Sequence, residues 1–318
     1  MPRKRPRKLL AACAASAVAM TLLIDKAVPK SWAARLHRAR IRLRFVEYQA
    51  RYAGSPDDIF IVTYPKSGTT WLQMIVYQLT TDGAMDFTHI AEVSPHLEER
   101  MMPRGLQISD LRSTPRVVKS HLPYFLIPRG PGRYIYGVRN GLDVAVSYRY
   151  HARKYLPRLG EPSAREFFDR FMAGDVPYRS WFEHVAGWLG NRNRLNVLVI
   201  TYDELVADLE AGIRRIADFC GITIDPAAMP RIVERCSFAF MREHDAKFAL
   251  KRPPAAPAPT GREPGFIRKG GVGGWREELD AQSVSEFHEA CQRHLGELDK
   301  DMFRILSGRD AREAESVR

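Results

Sequence analysis

Ten consecutive residues, Thr63–Leu72 (TYPKSGTTWL), constrain the fold of this chain more than any other stretch. A β-rich apolar run, Asp58–Tyr64, leads into a tight turn at Lys66-Ser67-Gly68, and a helical pattern runs from Thr69 through Leu79. A strand feeding a helix through such a turn points free backbone N–H groups and the positive end of the helix dipole at one spot, which is an anion site. Gly68 lets the backbone approach a ligand closely, Lys66 adds a point charge, and Thr69 and Thr70 add hydroxyls. The run is not a Walker A loop, because GxxxxGK[ST] is absent and the lysine precedes the glycine. An ordinary connection with a surface lysine would account for Lys-Ser-Gly alone. The complete run, with Tyr64, Pro65 and Trp71, is more specific.

The rest of the main domain repeats this alternation. Strand-like runs at Arg116–Ser120, Tyr134–Val138 and Asn196–Thr201 separate helical patterns at Leu142–Lys154, Ala164–Ala173, Trp181–Leu189 and Leu205–Cys220. A last helix is predicted over Ala281–Leu306. The pattern predicts an α/β fold in three layers: a central, mostly parallel sheet with a P-loop-like phosphate-binding loop and helices on both faces. The predicted domain spans 53–308, with a charged tail at 309–318. The Pro- and Ala-rich stretch 253–265 reads as a loop or lid.

The net charge of +12 first resembles that of a nucleic-acid binder. However, residues 1–52 hold thirteen Lys and Arg against two acidic residues, an excess of eleven, which leaves the remaining chain near neutrality. Nucleic acid is therefore not an expected partner, and the basic field belongs to an N-terminal arm. Within it, residues 9–24 form a 16-residue uncharged run, just short of the about 17–25 residues of a spanning helix. A membrane anchor, a cleaved signal peptide and a buried helix all compete for this run. Behind it, Trp32, Leu36, Ala39, Leu43, Val46 and Ala50 recur at helical spacing among arginines, as on a helix lying on an anionic bilayer. The expectation is a cytoplasmic protein with a membrane-associated arm. Cys13, Cys220, Cys236 and Cys291 are widely spaced and show no metal-ligand pattern, so neither a zinc site nor a disulfide framework is expected.

The chemistry-bearing segments follow TYPKSGTTW in order and together resemble the cytosolic-type sulfotransferases that use 3′-phosphoadenylyl sulfate (PAPS). TYPKSGTTW is similar to that family's 5′-phosphosulfate loop. Lys119-Ser120-His121-Leu122-Pro123 resembles its catalytic-histidine segment, and Arg139-Asn140 with Asp143–Tyr148 its 3′-phosphate strand and helix. Thr201–Leu205, Ser237-Phe238 with Met241, and Phe266–Gly270 with Gly273 and Trp275 complete six ordered matches over roughly residues 55–305. The resemblance implies a PAPS co-substrate, no metal, and a hydroxyl or amine of a small acceptor as the sulfuryl target. His121 is the expected general base, Lys66 the cation at the leaving phosphate and Lys119 a second cation on the sulfuryl oxygens. Ser67, Gly68, Thr69 and Thr70 are expected around the 5′ side, and Arg139, Ser147, Arg268, Lys269 and Gly270 around the 3′-phosphate. Trp71 and Phe238 are expected to sandwich the adenine, with Tyr202 bonded to it.

Some positions depart from the family pattern. Gly273-Gly274-Trp275 replaces a usual Gly-Asp-Trp, Asn140-Gly141-Leu142 a usual Asn-Pro-Lys, and Cys236 a common threonine. The segment after Trp275 lacks the vertebrate dimer pattern, which leaves oligomeric state open. Apolar residues in the acceptor loops, placed at 89–102, 150–159 and 243–265, point to a phenol, steroid or lipid alcohol. Two other classes compete: a P-loop-like nucleotide kinase or NTPase with Asp203 on magnesium, and a non-catalytic membrane-associated protein. The missing Walker A loop speaks against the first, and the presence of both Lys66 and His121 against the second.

Overall fold

The computed structural model describes residue 52 and residues 54–100, 115–160, 162–250 and 265–308. The arm up to residue 51 with its 9–24 run, the tail 309–318, and all but the last residue of 253–265 lie outside the described residues. Among those described, no helix is long and apolar enough to cross a membrane.

Four strands form one sheet: β1 (Ile59–Thr63), β2 (Val117–Ser120), β3 (Arg133–Val138) and β4 (Asn196–Thr201). Their order is β2-β1-β3-β4 and every pairing is parallel, with Phe60 opposite Val118 and Tyr134, and Tyr134 opposite Val197. Side chains alternate across a strand, so this register sorts them into two faces. On one face, Phe60, Val62, Tyr134 and Tyr136 meet α4 (Gly141–Tyr155), α5 (Ala164–Met172), α6 (Trp181–Leu189) and α11 (Ala281–Leu295) in an aromatic-rich core. There Tyr136 stacks on Trp188 with ring centroids 5.1 Å apart. On the other face, Ile59, Ile61, Ile135 and Ile200 pack on α1 (Thr69–Thr80), α8 (Leu209–Cys220) and α9 (Met229–Cys236), and this core is mainly aliphatic. The predicted three layers are present.

Two predicted helices are broken in two. The stretch 205–220 divides into α7 (Tyr202–Ala207) and α8, because Asp208 leaves helical geometry (φ −149°, ψ 94°) and its carboxylate accepts the Ala211 N–H. An aspartate that competes for backbone donors starts a new helix better than it continues an old one. The stretch 281–306 divides at Gly296, and Asp299 caps α12 (Lys300–Ser307). Two short helices, α2 (Ile90–Val93) and α3 (Leu97–Arg100), and α10 (Phe238–Glu243) complete the set. At the start of α4, Asn140 accepts from Leu142 and Asp143 N–H groups. A Cβ on Gly141 would fall 2.4 Å from Phe287, so the helix is begun by this cap where the family commonly uses a proline.

Candidate active site

All four strands deliver their next residues to the carboxyl edge of the sheet, where ligands of open parallel sheets bind. After β1 comes Lys66, after β2 His121, after β3 Arg139, and after β4 Tyr202. The β1 turn uses left-handed backbone at both Lys66 (φ 71°) and Gly68 (φ 92°). At Lys66 this costs on the order of 1–2 kcal/mol, a strain kept where the loop shape matters. At Gly68 it costs little, and the missing side chain leaves room for Tyr202, whose ring would lie 3.0 Å from a Cβ there.

The loop gathers positive charge. Lys66 is half-buried over the Phe266 ring, 4.8 Å from its centroid. Burial, and then the charges of Arg139, Lys119 and Arg268, push its pKa down to about 8. The 5′-side lysine therefore shares one field with the arginines expected at the 3′-phosphate. Arg139 Nη1 donates to the Lys66 carbonyl at 3.4 Å and Nη2 to the Gly271 carbonyl at 2.8 Å. Its guanidinium lies over Tyr202, 4.3 Å from the ring centroid. Two buried polar atoms here, Ser67 Oγ and Arg139 Nε, have no partner among the described residues. Unpaired buried donors within a group of repelling cations fit an anionic ligand that supplies their partner.

Asp143, given no separate role from the sequence, ties the site together. Buried in the first turn of α4, its carboxylate accepts the Gly273 N–H at 2.9 Å and the Trp275 N–H at 3.2 Å, and it stands 3.6 Å from Arg139. These bonds draw the segment Phe266–Trp275 over the loop. Ser147, half-buried, lies one turn further along the same face of α4. Of the two cations expected in Arg268-Lys269-Gly270, Arg268 stands over Tyr150 (4.4 Å) and within the field of Lys66. The other, Lys269, is exposed and held by Glu277 at 2.6 Å. Gly270 (φ 70°) passes under Phe238, whose ring leaves no space for a Cβ. The Trp71 indole N–H donates to the Cys236 carbonyl at 2.7 Å, which sets this ring beside the start of α10 and edge-on to Tyr202. Thr69 is buried, its hydroxyl 2.6 Å from that of Thr63, and Thr70 is half-buried.

His121 completes the edge. Its Nδ1 lies 2.9 Å from the Thr63 carbonyl, which can only accept, so Nδ1 carries the proton and Nε2 the lone pair. Its backbone N–H donates to Glu98 at 2.6 Å, and His96 and Tyr178 stand edge-on to its ring at 5.3 and 5.1 Å. Burial, followed by the His96 and Lys119 charges, lowers its pKa well below 6.5, so the ring is neutral at physiological pH. Glu98, His96 and Tyr178 were not legible in the sequence. They reach His121 from α3, the segment before it and the α5–α6 loop, and no local pattern connects those places. The three described cysteines, Cys220, Cys236 and Cys291, are buried thiols, and burial pushes that of Cys220 up to about 12. Among the described residues no three His, Cys, Asp or Glu side chains group as a metal-ligand set.

This combination, a parallel sheet with an anion-binding first loop and a neutral histidine beside clustered cations, defines a group-transfer enzyme of the phosphate-loop type. The sulfotransferase domain model matches residues 56–299, and the chain belongs to that family. Sulfotransferase 1B1 of Mus musculus is 36% identical over 269 residues, covering 79% of this chain and 86% of the relative. The 3-beta-hydroxysteroid sulfotransferase of Cavia porcellus is 30% identical over 264 residues, covering 81% and 90%. Among solved structures, mouse sulfotransferase SULT7A1 complexed with PAP aligns with a TM-score of 0.62 at 27% identity, over 82% of this chain and 91% of that one. Retinol dehydratase in complex with androsterone and PAP shares the fold, with a TM-score of 0.67 at 24% identity over 80% and 86%.

Proposed function

We propose that this sulfotransferase moves the sulfuryl group of PAPS to a hydroxyl of a small apolar acceptor, with His121 as base. One observation carries the reading: His121 Nδ1 lies against the Thr63 carbonyl, which leaves Nε2 as proton acceptor on a ring within the field of Lys119. His121 Nε2 takes the acceptor's hydroxyl proton as the acceptor oxygen forms its bond to sulfur. The bond from sulfur to the bridging phosphate oxygen breaks, and its electron pair leaves on the phosphate of 3′-phosphoadenosine 5′-phosphate (PAP). Lys66 and the N–H groups opening α1 would neutralise that oxygen, and Lys119 the sulfuryl oxygens. Arg139, Ser147, Arg268 and the backbone at Lys269-Gly270 would hold the 3′-phosphate. Ser67, Gly68, Thr69 and Thr70 would hold the 5′ side, and Trp71, Tyr202 and Phe238 the adenine.

The relatives named for hydroxysteroids and the aromatic walls around His121 support a hydroxyl acceptor. Three buried thiols support a reducing compartment such as the cytoplasm. The +11 arm supports contact with an anionic membrane surface. The test is to supply PAPS with phenolic and steroidal hydroxyl acceptors and follow PAP and sulfate ester by mass spectrometry, with Mg·ATP as the rival donor. Stabilisation against heat by PAP without metal, together with ester formation, supports the proposal. Turnover of Mg·ATP with no use of PAPS would overturn it.

A further inference from the structure

One titratable group beside the site takes no part in the mechanism above. His151, in the third turn of α4, lies among aromatic rings: Tyr155 at 4.9 Å, Tyr148 at 6.3 Å and Phe266 at 6.4 Å between centroids. The same Phe266 ring carries the Lys66 ammonium. Lys66 and Lys119 are both close enough to act on the imidazole, and Lys119 acts on His121 as well. His151 therefore lies within the field of both lysines, shares the Phe266 ring with Lys66, and is linked to the base through Lys119. Its Nδ1 is buried and has no hydrogen-bond partner among the described residues. Burial, then the two lysine charges, push its pKa down to about 2, so the ring is neutral at any working pH and serves as a hydrogen-bonding group rather than a charge.

An unpaired polar atom set among aromatic rings orients a ligand, and a ligand that satisfies such a buried group gains over one that leaves it unpaired. We propose that His151 is a specificity-determining residue of the acceptor site, hydrogen-bonding a second polar group next to the hydroxyl that is sulfated. The favoured acceptors are hydroxyl compounds with an adjacent hydrogen-bonding group, of which catechols are the simplest, rather than monofunctional alcohols or phenols. This rests on the sulfotransferase reading proposed above.

The experiment compares kcat/KM for catechol and for phenol, with PAPS at saturation, in the wild-type protein, His151→Phe and His151→Gln. The expected result is a wild-type preference for catechol of about tenfold or more, the scale of one hydrogen bond to an otherwise unpaired group. His151→Phe should abolish that preference while keeping phenol turnover, and His151→Gln should retain part of it. A ratio of rates is insensitive to the fraction of folded enzyme, so a merely structural role would leave the ratio unmoved and overturn the inference. Equal wild-type rates for the two acceptors would overturn it without any variant. Absence of turnover with both acceptors and with steroid alcohols would instead overturn the sulfotransfer reading on which it stands.

Discussion

The two ends of the sheet use the same chemical groups to opposite effect. At the amino edge, Asp58 is 1% exposed and accepts from Arg116 Nε at 2.5 Å and Nη2 at 2.8 Å, from the Tyr52 hydroxyl at 2.5 Å and from the Ser55 N–H at 2.8 Å. That carboxylate has its bonds made, and the network closes the bottom of β1 against the strand beside it. At the carboxyl edge, Lys66, Lys119, Arg139 and Arg268 repel one another, with Asp143 as the buried carboxylate paired to Arg139. A paired charge holds the fold, whereas gathered like charges weaken it until an anion arrives. Function is to be sought where charges are left uncompensated.

The first way to break this comparison is His121→Ala, which carries the largest expected effect. Turnover with PAPS should fall by about 10²–10⁴-fold. PAP binding by calorimetry should stay at the wild-type level, because the ring belongs to the acceptor half of the edge. Loss of PAP binding with the fold intact would contradict a role as base.

Next is Asp58→Ala at the closed end. Removing one partner of a buried pair strands the other, and denaturant unfolding should show a loss of about 3–5 kcal/mol. Activity per folded molecule should not change. A specific loss of kcat would mean that the two ends are coupled.

Lys66→Met sharpens the contrast at the open end. It should lower kcat by about 10²–10³-fold, as removal of a leaving-group stabiliser does. The free protein should be as stable as the wild type or more stable, since one repelling charge is gone. A clear fall in thermal midpoint would show that Lys66 holds the fold together.

The smallest effect is a pH dependence. Lys66 gives up its proton near pH 8 in the free protein instead of near 10.5. A bound anion favours the charged form, so PAP affinity should weaken as pH rises through about 8, which calorimetry at a series of pH values would show. In the unliganded protein the sign reverses. Between about pH 8 and 10.5 the unfolded chain binds the proton that the folded chain has lost, so this group makes stability rise with pH across that window. Lys66→Met should remove the rise.

Much of this was legible in the order of residues. The strand, Lys-Ser-Gly turn and helix at Thr63–Leu72 specify their own geometry over ten residues, and β4 and α6 fall on their predicted limits, because apolar period and capping are local properties. The helix breaks at Asp208 and Gly296 were missed because periodicity continues through them and only the caps reveal them.

Sequence by itself determined which chemical groups are available: Lys66, His121 and Arg139, each just past a strand, and Arg268 in a later loop could all be named in advance. Tertiary structure alone decided how they act. It put Arg139 on the Lys66 carbonyl, turned Lys269 out to Glu277, set the His121 tautomer through the Thr63 carbonyl and brought His151 within the field of the two lysines. Those outcomes depend on partners far apart in the chain, and charge and proton position respond to distance in space rather than to spacing in sequence.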